Sequence, residues 1–169
     1  YETATSYTLA LNASDGVNTT SSELIITVDD VNEAPSLTNA LAASSFAENV
    51  ATGTTIATAS ALDPESQAIT YSLSGTGSGN FAVDSSGNIT LASGLDYETA
   101  TSYSLTLSAS DGENTTTNSL TITIDDVNEA PSLSSSLAAS SFAENVATGT
   151  TIATTSASDP EAQAITYSL

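Results

Sequence analysis

Two clusters of carboxylates are the residues of this chain whose types and spacing could do chemistry. Segments 28–37 and 124–133 read VDDVNEAPSL and IDDVNEAPSL, and each places two Asp and one Glu within five positions. The chain has 20 acidic residues but no Lys, Arg or His, so its formal net charge is −20. Salt bridges between side chains are therefore excluded, and the like charges oppose a compact state. These carboxylates must face water, accept hydrogen bonds or bind a cation from solution.

The same composition excludes several classes of function. Binding to DNA, RNA or an anionic membrane surface depends on Lys and Arg, so we expect no nucleic-acid partner. There is no Cys, which excludes a disulfide framework and thiol chemistry. No apolar run approaches the ~20 residues of a membrane helix, so we expect no membrane insertion in this segment. Without His, Cys, Lys or Arg we predict that the protein is not an enzyme.

The elements that must position the carboxylates repeat with an offset of 96 residues. The stretch YETATSY begins at Tyr1 and Tyr97, and FAENVATGTTIAT begins at Phe46 and Phe142. A unit of this length is the size of one small β-sandwich. We therefore predict three parts: the C-terminal part of a module plus its linker, a complete module plus linker, and the N-terminal part of the next module, at residues 1–36, 37–130 and 131–169.

Within the complete module, apolar residues alternate with hydroxyl residues. Leu120, Ile122 and Ile124 alternate with Thr, as do Tyr103 and Leu105 with Ser. This period of two is typical of strands with one apolar face, and it argues against disorder. We predict an all-β fold of tandem seven-stranded antiparallel sandwiches, with Tyr97 and Tyr103 in or near the core. The seven strands are expected at 45–47, 54–58, 69–73, 81–83, 88–92, 103–107 and 120–124.

The acidic residues lie at strand ends and in the links between modules. Loops of a sandwich gather at its two poles, so acids from neighbouring modules are expected to meet there. Oxygen ligands without His or Cys select Ca²⁺ over zinc or copper, and Mg²⁺ rarely occupies an all-protein cage. We therefore predict calcium as the bound cation.

Several motifs occur in the order of a cadherin repeat: AEN, DPE followed by AITYSL, LDYE, ASDG and DVNEAP. The chain resembles the cadherin-like repeats of large bacterial cell-surface adhesins. The resemblance implies Greek-key β-sandwiches of the cadherin/Ig-like type, with calcium at the junctions between modules. It implies a first junction formed by Glu2, Asp30, Asn32, Glu33, Asp63, Glu65 and Asp111. It implies a second junction formed by Glu48, Asp96, Glu98, Asp126, Asn128, Glu129, Asp159 and Glu161.

Simpler interpretations stay open for several of these residues. Glu48 and its counterpart Glu144 would also serve as solvated residues at strand ends. The Asp63-Pro64 and Asp111-Gly112 dipeptides are good turn formers without a ligand. The neighbouring Asp29 and Asp125 are expected to be solvent-exposed.

Three functions follow from these expectations. The first is a calcium-rigidified extracellular rod: extender repeats of a bacterial surface adhesin in cell adhesion and biofilm, with calcium ions and the neighbouring repeats as partners. The second is a subunit of an extracellular fibre or surface layer that self-associates by β-strand addition. The third is an adhesive module that binds a glycan or a protein.

Overall fold

The computed structural model describes residues 2–39, 41–134 and 141–168. Tyr1, Ala40, Leu169 and residues 135–140 lie outside this description, as do the parts of the predicted modules that fall on them. A 3₁₀ turn, Ser78–Asn80, precedes the eighth strand. In chain order, the strands of the described residues are β1 (Ser6–Ser14), β2 (Thr19–Thr27), β3 (Ser36–Leu37), β4 (Ser44–Ala47), β5 (Thr55–Thr58), β6 (Ala61–Leu62), β7 (Thr70–Gly75), β8 (Phe81–Val83), β9 (Asn88–Leu91), β10 (Ser102–Ser110), β11 (Thr115–Asp125), β12 (Ser132–Leu133) and β13 (Ala157–Ser158).

Two sheets pack face to face in the centre of the chain. One sheet has the strand order β4-β11-β10-β7, and the other has the order β5-β9-β8. The period-two pattern buries alternate residues of β10 and β11, because successive side chains of a strand point to opposite faces. A single hydrophobic cluster joins the two sheets, and its members include Ile56, Phe81, Ile89, Leu91, Tyr103, Leu105, Leu107, Leu120, Ile122 and Ile124.

The all-β prediction is confirmed, and each of the seven predicted strands overlaps an observed one. Tyr103 is buried and packs its ring edge-to-face against Phe81, with centroids 5.4 Å apart at 76°. Tyr97 is partly buried against the same core. The two tyrosines thus belong to the core region, as their sequence context predicts.

One pairing departs from the antiparallel prediction. Strand β4 runs parallel to β11, with Ser44 opposite Ile122 and Ala47 opposite Asp125. The reason is geometric, since the chain enters the sandwich at one pole and leaves it at the other. The early edge strand and the last strand therefore run in the same direction where they lie side by side.

Short strands attach each linker to the residues that follow it. Ser36 and Leu37 of β3 pair with β6, and the preceding Pro35 is fully buried. Strands β12 and β13 repeat this pairing 96 residues later, with Ser132 opposite Ser158. Each linker therefore ends as a strand of the following segment.

The β1–β2 hairpin has the same register as the β10–β11 pair. Leu9 lies opposite Leu24, as Leu105 lies opposite Leu120. Leu9 and Leu24 are exposed in the hairpin, whereas their counterparts Leu105 and Leu120 lie in the core. The hairpin thus repeats the pairing of β10 and β11 at an offset of 96 residues.

Gly77 is required at the turn that precedes the 3₁₀ segment. Its φ of 75° is left-handed, and a Cβ at this position would overlap the ring of Tyr103. The turn therefore packs its backbone directly on the core.

Candidate metal centres

Glu48 organises the pole at which the second linker leaves the central sandwich. Its side chain is only 7% exposed. Its Oε2 accepts the backbone N–H of Tyr97 at 2.7 Å, and its Oε1 accepts that of Val127 at 2.8 Å. Its own N–H donates to the carbonyl of Asp125 at 3.1 Å. The solvated interpretation is therefore wrong for Glu48, whereas its counterpart Glu144 is exposed.

Carboxylates from both sides of the second linker meet beside Glu48. One carboxylate oxygen from each of Glu48, Asp96 and Glu98 lies within 4.8 Å of the others. Glu98, Asp126 and Glu161 form a second group with the same spacing. The groups share Glu98, and together they join the central sandwich, the linker and the following segment. A cleft of about 450 Å³ is lined in part by Glu48, Asp96, Glu98 and Glu129.

Glu129 and Glu161 lie close together, and when both are ionised their carboxylates can only accept hydrogen bonds. The backbone N–H of Glu129 donates to Oε1 of Glu161 at 3.2 Å. The Oε2 atoms of both residues are buried and have no hydrogen-bond partner within the described chain. The carboxyl of Glu161, burial and nearby negative charges raise the pKa of Glu129 to about 7. Two carboxylates that share one site repel each other, so one retains its proton unless a cation replaces it.

The first junction has the same arrangement. Carboxylate oxygens of Glu2, Glu33 and Glu65 lie within 4.8 Å of one another, and the backbone N–H of Glu33 donates to Oε2 of Glu65 at 3.4 Å. Oε1 of Glu65 and Oδ2 of Asp63 are buried and have no partner in the part of the chain that is described. The Glu65 carboxyl, burial and neighbouring charges, Asp30 among them, raise the pKa of Glu33 to about 7.

The Asp residues of the DPE motifs begin turns as well as facing the junctions. Oδ1 of Asp63 accepts the backbone N–H of Gln67 at 2.9 Å, and Oδ1 of Asp159 accepts that of Gln163 at the same distance. The turn interpretation of Asp63 therefore describes one of its oxygens, and the other is the unpartnered Oδ2. Asp159 lies in an equivalent turn outside the three-carboxylate groups.

Asp111 holds both its own turn and the first linker. Its Oδ1 accepts the backbone N–H groups of Asn114 at 2.6 Å and Glu113 at 2.7 Å. Its Oδ2 accepts Nδ2 of Asn32 at 2.9 Å. These bonds, led by the one from Asn114, lower the pKa of Asp111. The turn interpretation is correct for one oxygen, while the other joins the linker.

The linker asparagines face two glutamines that the sequence-based prediction of ligands does not include. Nε2 of Gln67 donates to Oδ1 of Asn32, and Nε2 of Gln163 donates to Oδ1 of Asn128. Neither glutamine carries charge, so the acidic pattern gives no signal for it. Their identical positions in the two repeats were the only available sign.

The donor set at both junctions fits a hard divalent cation. Each junction offers several carboxylates, no nitrogen or sulfur ligand, and buried oxygens without a hydrogen-bond donor. Oxygen-only sets of this kind suit calcium. The residues present therefore pass the chemical test for a calcium site.

The two-sheet sandwich, with carboxylate clusters where the linkers meet it, places the central domain in the class of all-β sandwich modules. The family model described as "Cadherin domain" matches residues 43–125. Residues 43–125 are thus similar to a cadherin domain, and cadherin domains in general are adhesion modules that bind Ca²⁺ and associate with neighbouring repeats. In the described residues, no helix has the length and apolar character to cross a membrane.

Curated relatives and solved structures agree with this family. The protocadherin-like wing polarity protein stan of Drosophila melanogaster is 35% identical over 160 residues, which are 88% of this chain and 4% of that protein. Protocadherin Fat 2 of Rattus norvegicus is 38% identical over 120 residues, 66% of this chain and 3% of that protein. The structure of protocadherin gamma B2 extracellular cadherin domains 1–5 superposes with a TM-score of 0.61 at 26% identity, covering 94% of this chain and 33% of that one.

Proposed function

We propose that this chain is a stretch of calcium-rigidified extender repeats in a cell-surface adhesin. The supporting observation is the presence, at both junctions, of buried carboxylate oxygens without a donor in a chain that has no basic side chain. Burying such groups is costly unless a positive charge compensates them. Because acids of the linker and of both flanking segments contribute, a shared cation would restrain bending between modules.

We propose that the carboxylates form two calcium sites, one at each junction. Bound calcium would supply the positive charge that allows them to be ionised together. The chain's own contribution is to hold these oxygens close before binding, and Glu48 does so through its bonds to Tyr97 and Val127. The carboxylates proposed for the first site are Glu2, Asp30, Glu33, Asp63, Glu65 and Asp111. Those proposed for the second are Glu48, Asp96, Glu98, Asp126, Glu129, Asp159 and Glu161.

The organisation into modules at 1–36, 37–130 and 131–169 is part of the same proposal. It is supported by the repeated registers of the β1–β2 and β10–β11 pairs, and of the β3–β6 and β12–β13 pairs. We also propose a bacterial adhesin, acting in adhesion and biofilm, as the parent protein. That part depends on the motif resemblance alone, since the curated relatives compared above are animal proteins.

Calorimetric titration of the chain with calcium tests the proposal. We expect dissociation constants of about 10⁻⁴–10⁻³ M, as is usual for extracellular calcium modules. Asp126→Ala should weaken binding at the second junction, whereas the exposed neighbour Asp125, changed to Ala, is the matched control. Small-angle scattering should show a more bent ensemble in chelator. An absence of calcium binding, with the same scattering in both buffers, would contradict the proposal.

The fibre and ligand-binding alternatives remain predictions with their own tests. Fibres would be visible by electron microscopy of the purified chain. Recognition of a sugar would appear on a glycan array probed with the chain. Neither outcome is required by the junction geometry.

A further inference from the structure

The side chain of Asn32, in the first linker, is held by the sandwich that follows it. Its Nδ2 donates to Oδ2 of Asp111 at 2.9 Å, and its Oδ1 accepts Nε2 of Gln67. Its backbone carbonyl accepts Nδ2 of Asn114 at 3.1 Å. Three residues from two loops of the central domain thus form hydrogen bonds with one linker residue.

The chemistry of the partners fixes the orientation of this amide. An ionised carboxylate only accepts hydrogen bonds, so Nδ2 of Asn32 must face Asp111. Its Oδ1 then faces Gln67, which must present its own NH₂ group. The two amides can therefore form a hydrogen bond in only one arrangement, with the NH₂ group of Gln67 donating to Oδ1 of Asn32.

The second junction repeats the contact with independent partners. Nδ2 of Asn128 donates to the backbone carbonyl of Glu129 at 3.1 Å, and its Oδ1 accepts Nε2 of Gln163. In both loops the residue before the glutamine is left-handed, with φ of 63° at Ser66 and 57° at Ala162. This strained conformation is unusual for residues other than Gly, and it occurs at the same position of both loops.

We propose that Gln67 and Gln163 are positioning residues that fasten each linker to the segment after it without a cation. The bonds involve neutral amides and, at the first junction, one carboxylate that already has its donors. They act alongside the buried Pro35 and the β3–β6 pairing, which also need no ion. This inference goes beyond the proposed calcium function and does not depend on it.

The consequence is a narrow pivot in the second linker. At the second junction, the N–H of Val127 is held by Glu48 on one side, and the Asn128 side chain is held by Gln163 on the other. Val127 is therefore held by the central sandwich, and the adjacent Asn128 is held by the segment that follows the linker. Any bending at this junction is therefore expected between these two residues, while the rest of the linker stays attached to the segment that follows.

Nuclear magnetic resonance relaxation of the full chain in chelator tests the inference at the first junction. We expect backbone order parameters at Asn32 and Glu33 near the rigid value of about 0.85, and a fall below about 0.6 in Gln67→Ala. Asn32→Ala should give the same fall. Gln163→Ala is the matched control, because it removes the same contact at the other junction and should leave residues 32 and 33 ordered.

The outcomes separate this inference from the calcium proposal. Unchanged order of the linker in both Gln67→Ala and Asn32→Ala would overturn it, as would a disordered linker or an unfolded central domain in the chelated wild-type chain. Calcium binding is measured separately. If the chain bound no calcium but its linker loosened in Gln67→Ala, the glutamine contact would stand and the calcium proposal would fail.

Discussion

Glu129 and Glu161 meet across the second junction although they are 32 residues apart, with the N–H of Glu129 donating to Oε1 of Glu161 at 3.2 Å. Their remaining carboxylate oxygens have no donor in the described part of the chain. The pair therefore needs either a proton or a cation. This requirement makes the stability of the junction depend on both pH and divalent ions.

In chelator, stability should fall as pH rises from about 4.5 to about 7. The pKa values of Glu33 and Glu129 are raised from 4.5 to about 7, chiefly by Glu65 and Glu161 respectively. The folded protein then binds more protons than the unfolded chain in this window, so raising the pH favours unfolding. Thermal unfolding midpoints measured across the window check this. A midpoint that climbs steadily from pH 5 to pH 7 would contradict it.

Below this window the dependence should reverse. The side-chain amide and backbone N–H of Asn88, with other turn amides, lower the pKa of Asp84 below its usual 3.8. The stability that such a group contributes is present above pH 3.8 and is lost as pH falls through its folded-state pKa. The same series of unfolding midpoints should therefore decline again in strong acid. In Asp84→Asn that acid decline should be smaller.

Glu129→Gln should stabilise the chelated protein and weaken its calcium binding. The amide removes one negative charge and offers an N–H to the carboxylate of Glu161. The effects on stability and on calcium binding have opposite signs. Without a cation the two carboxylates repel each other, whereas with a cation both serve as ligands. Thermal unfolding and calorimetry measure the two effects. Glu23→Gln, an exposed acid on β2, removes an equal charge and should change neither property at the junction.

Glu48→Ala should destabilise the central domain by about 3 kcal/mol, because two backbone N–H groups lose a charged acceptor in a buried setting. The measurement is denaturant unfolding in chelator, where any effect on calcium binding is absent. The matched control is Glu144→Ala, which changes the exposed counterpart in the next repeat. Equal, small effects of both substitutions would show that the bonds of Glu48 contribute little.

Gly77→Ala should destabilise the domain by roughly 2–4 kcal/mol. The new methyl group meets the ring of Tyr103, and an L residue at this positive φ adds its own cost. Gly79→Ala lies two residues away, where a Cβ meets nothing within 4 Å, and should have a small effect. Thermal unfolding of the two variants tests the difference. A Gly77→Ala protein with the midpoint of Gly79→Ala would contradict the packing described here.

Much of the fold was predictable because alternation and repetition are properties of the sequence itself. The apolar period of Leu120, Ile122 and Ile124 marks a half-buried strand whatever its partner is. The parallel neighbour of that strand was not predictable, since strand direction depends on where the chain enters and leaves the sandwich. Strands of two residues, such as Ser36–Leu37, are too short to show any period.

The acidic part of the candidate site was predictable for a similar reason. In a chain without basic residues, clustered Asp and Glu have no side-chain partner of opposite charge, so their positions in the sequence are enough to mark them as candidate cation ligands. The burial of Glu48 did not follow from the sequence, because its two donors are backbone groups 49 and 79 residues away. Gln67 gave no signal, because the identity of a neutral residue does not reveal that its amide reaches the linker.

The parallel pairing of β4 with β11 has a mechanical consequence. β11 leads directly into the second linker, and β4 lies beside the last residues of β11 and runs in the same direction, with Ala47 opposite Asp125. Tension between the two ends of the domain pulls these strands past each other, so their hydrogen bonds are loaded together in shear rather than one after another. The domain is therefore arranged to transmit force along its length without opening strand by strand.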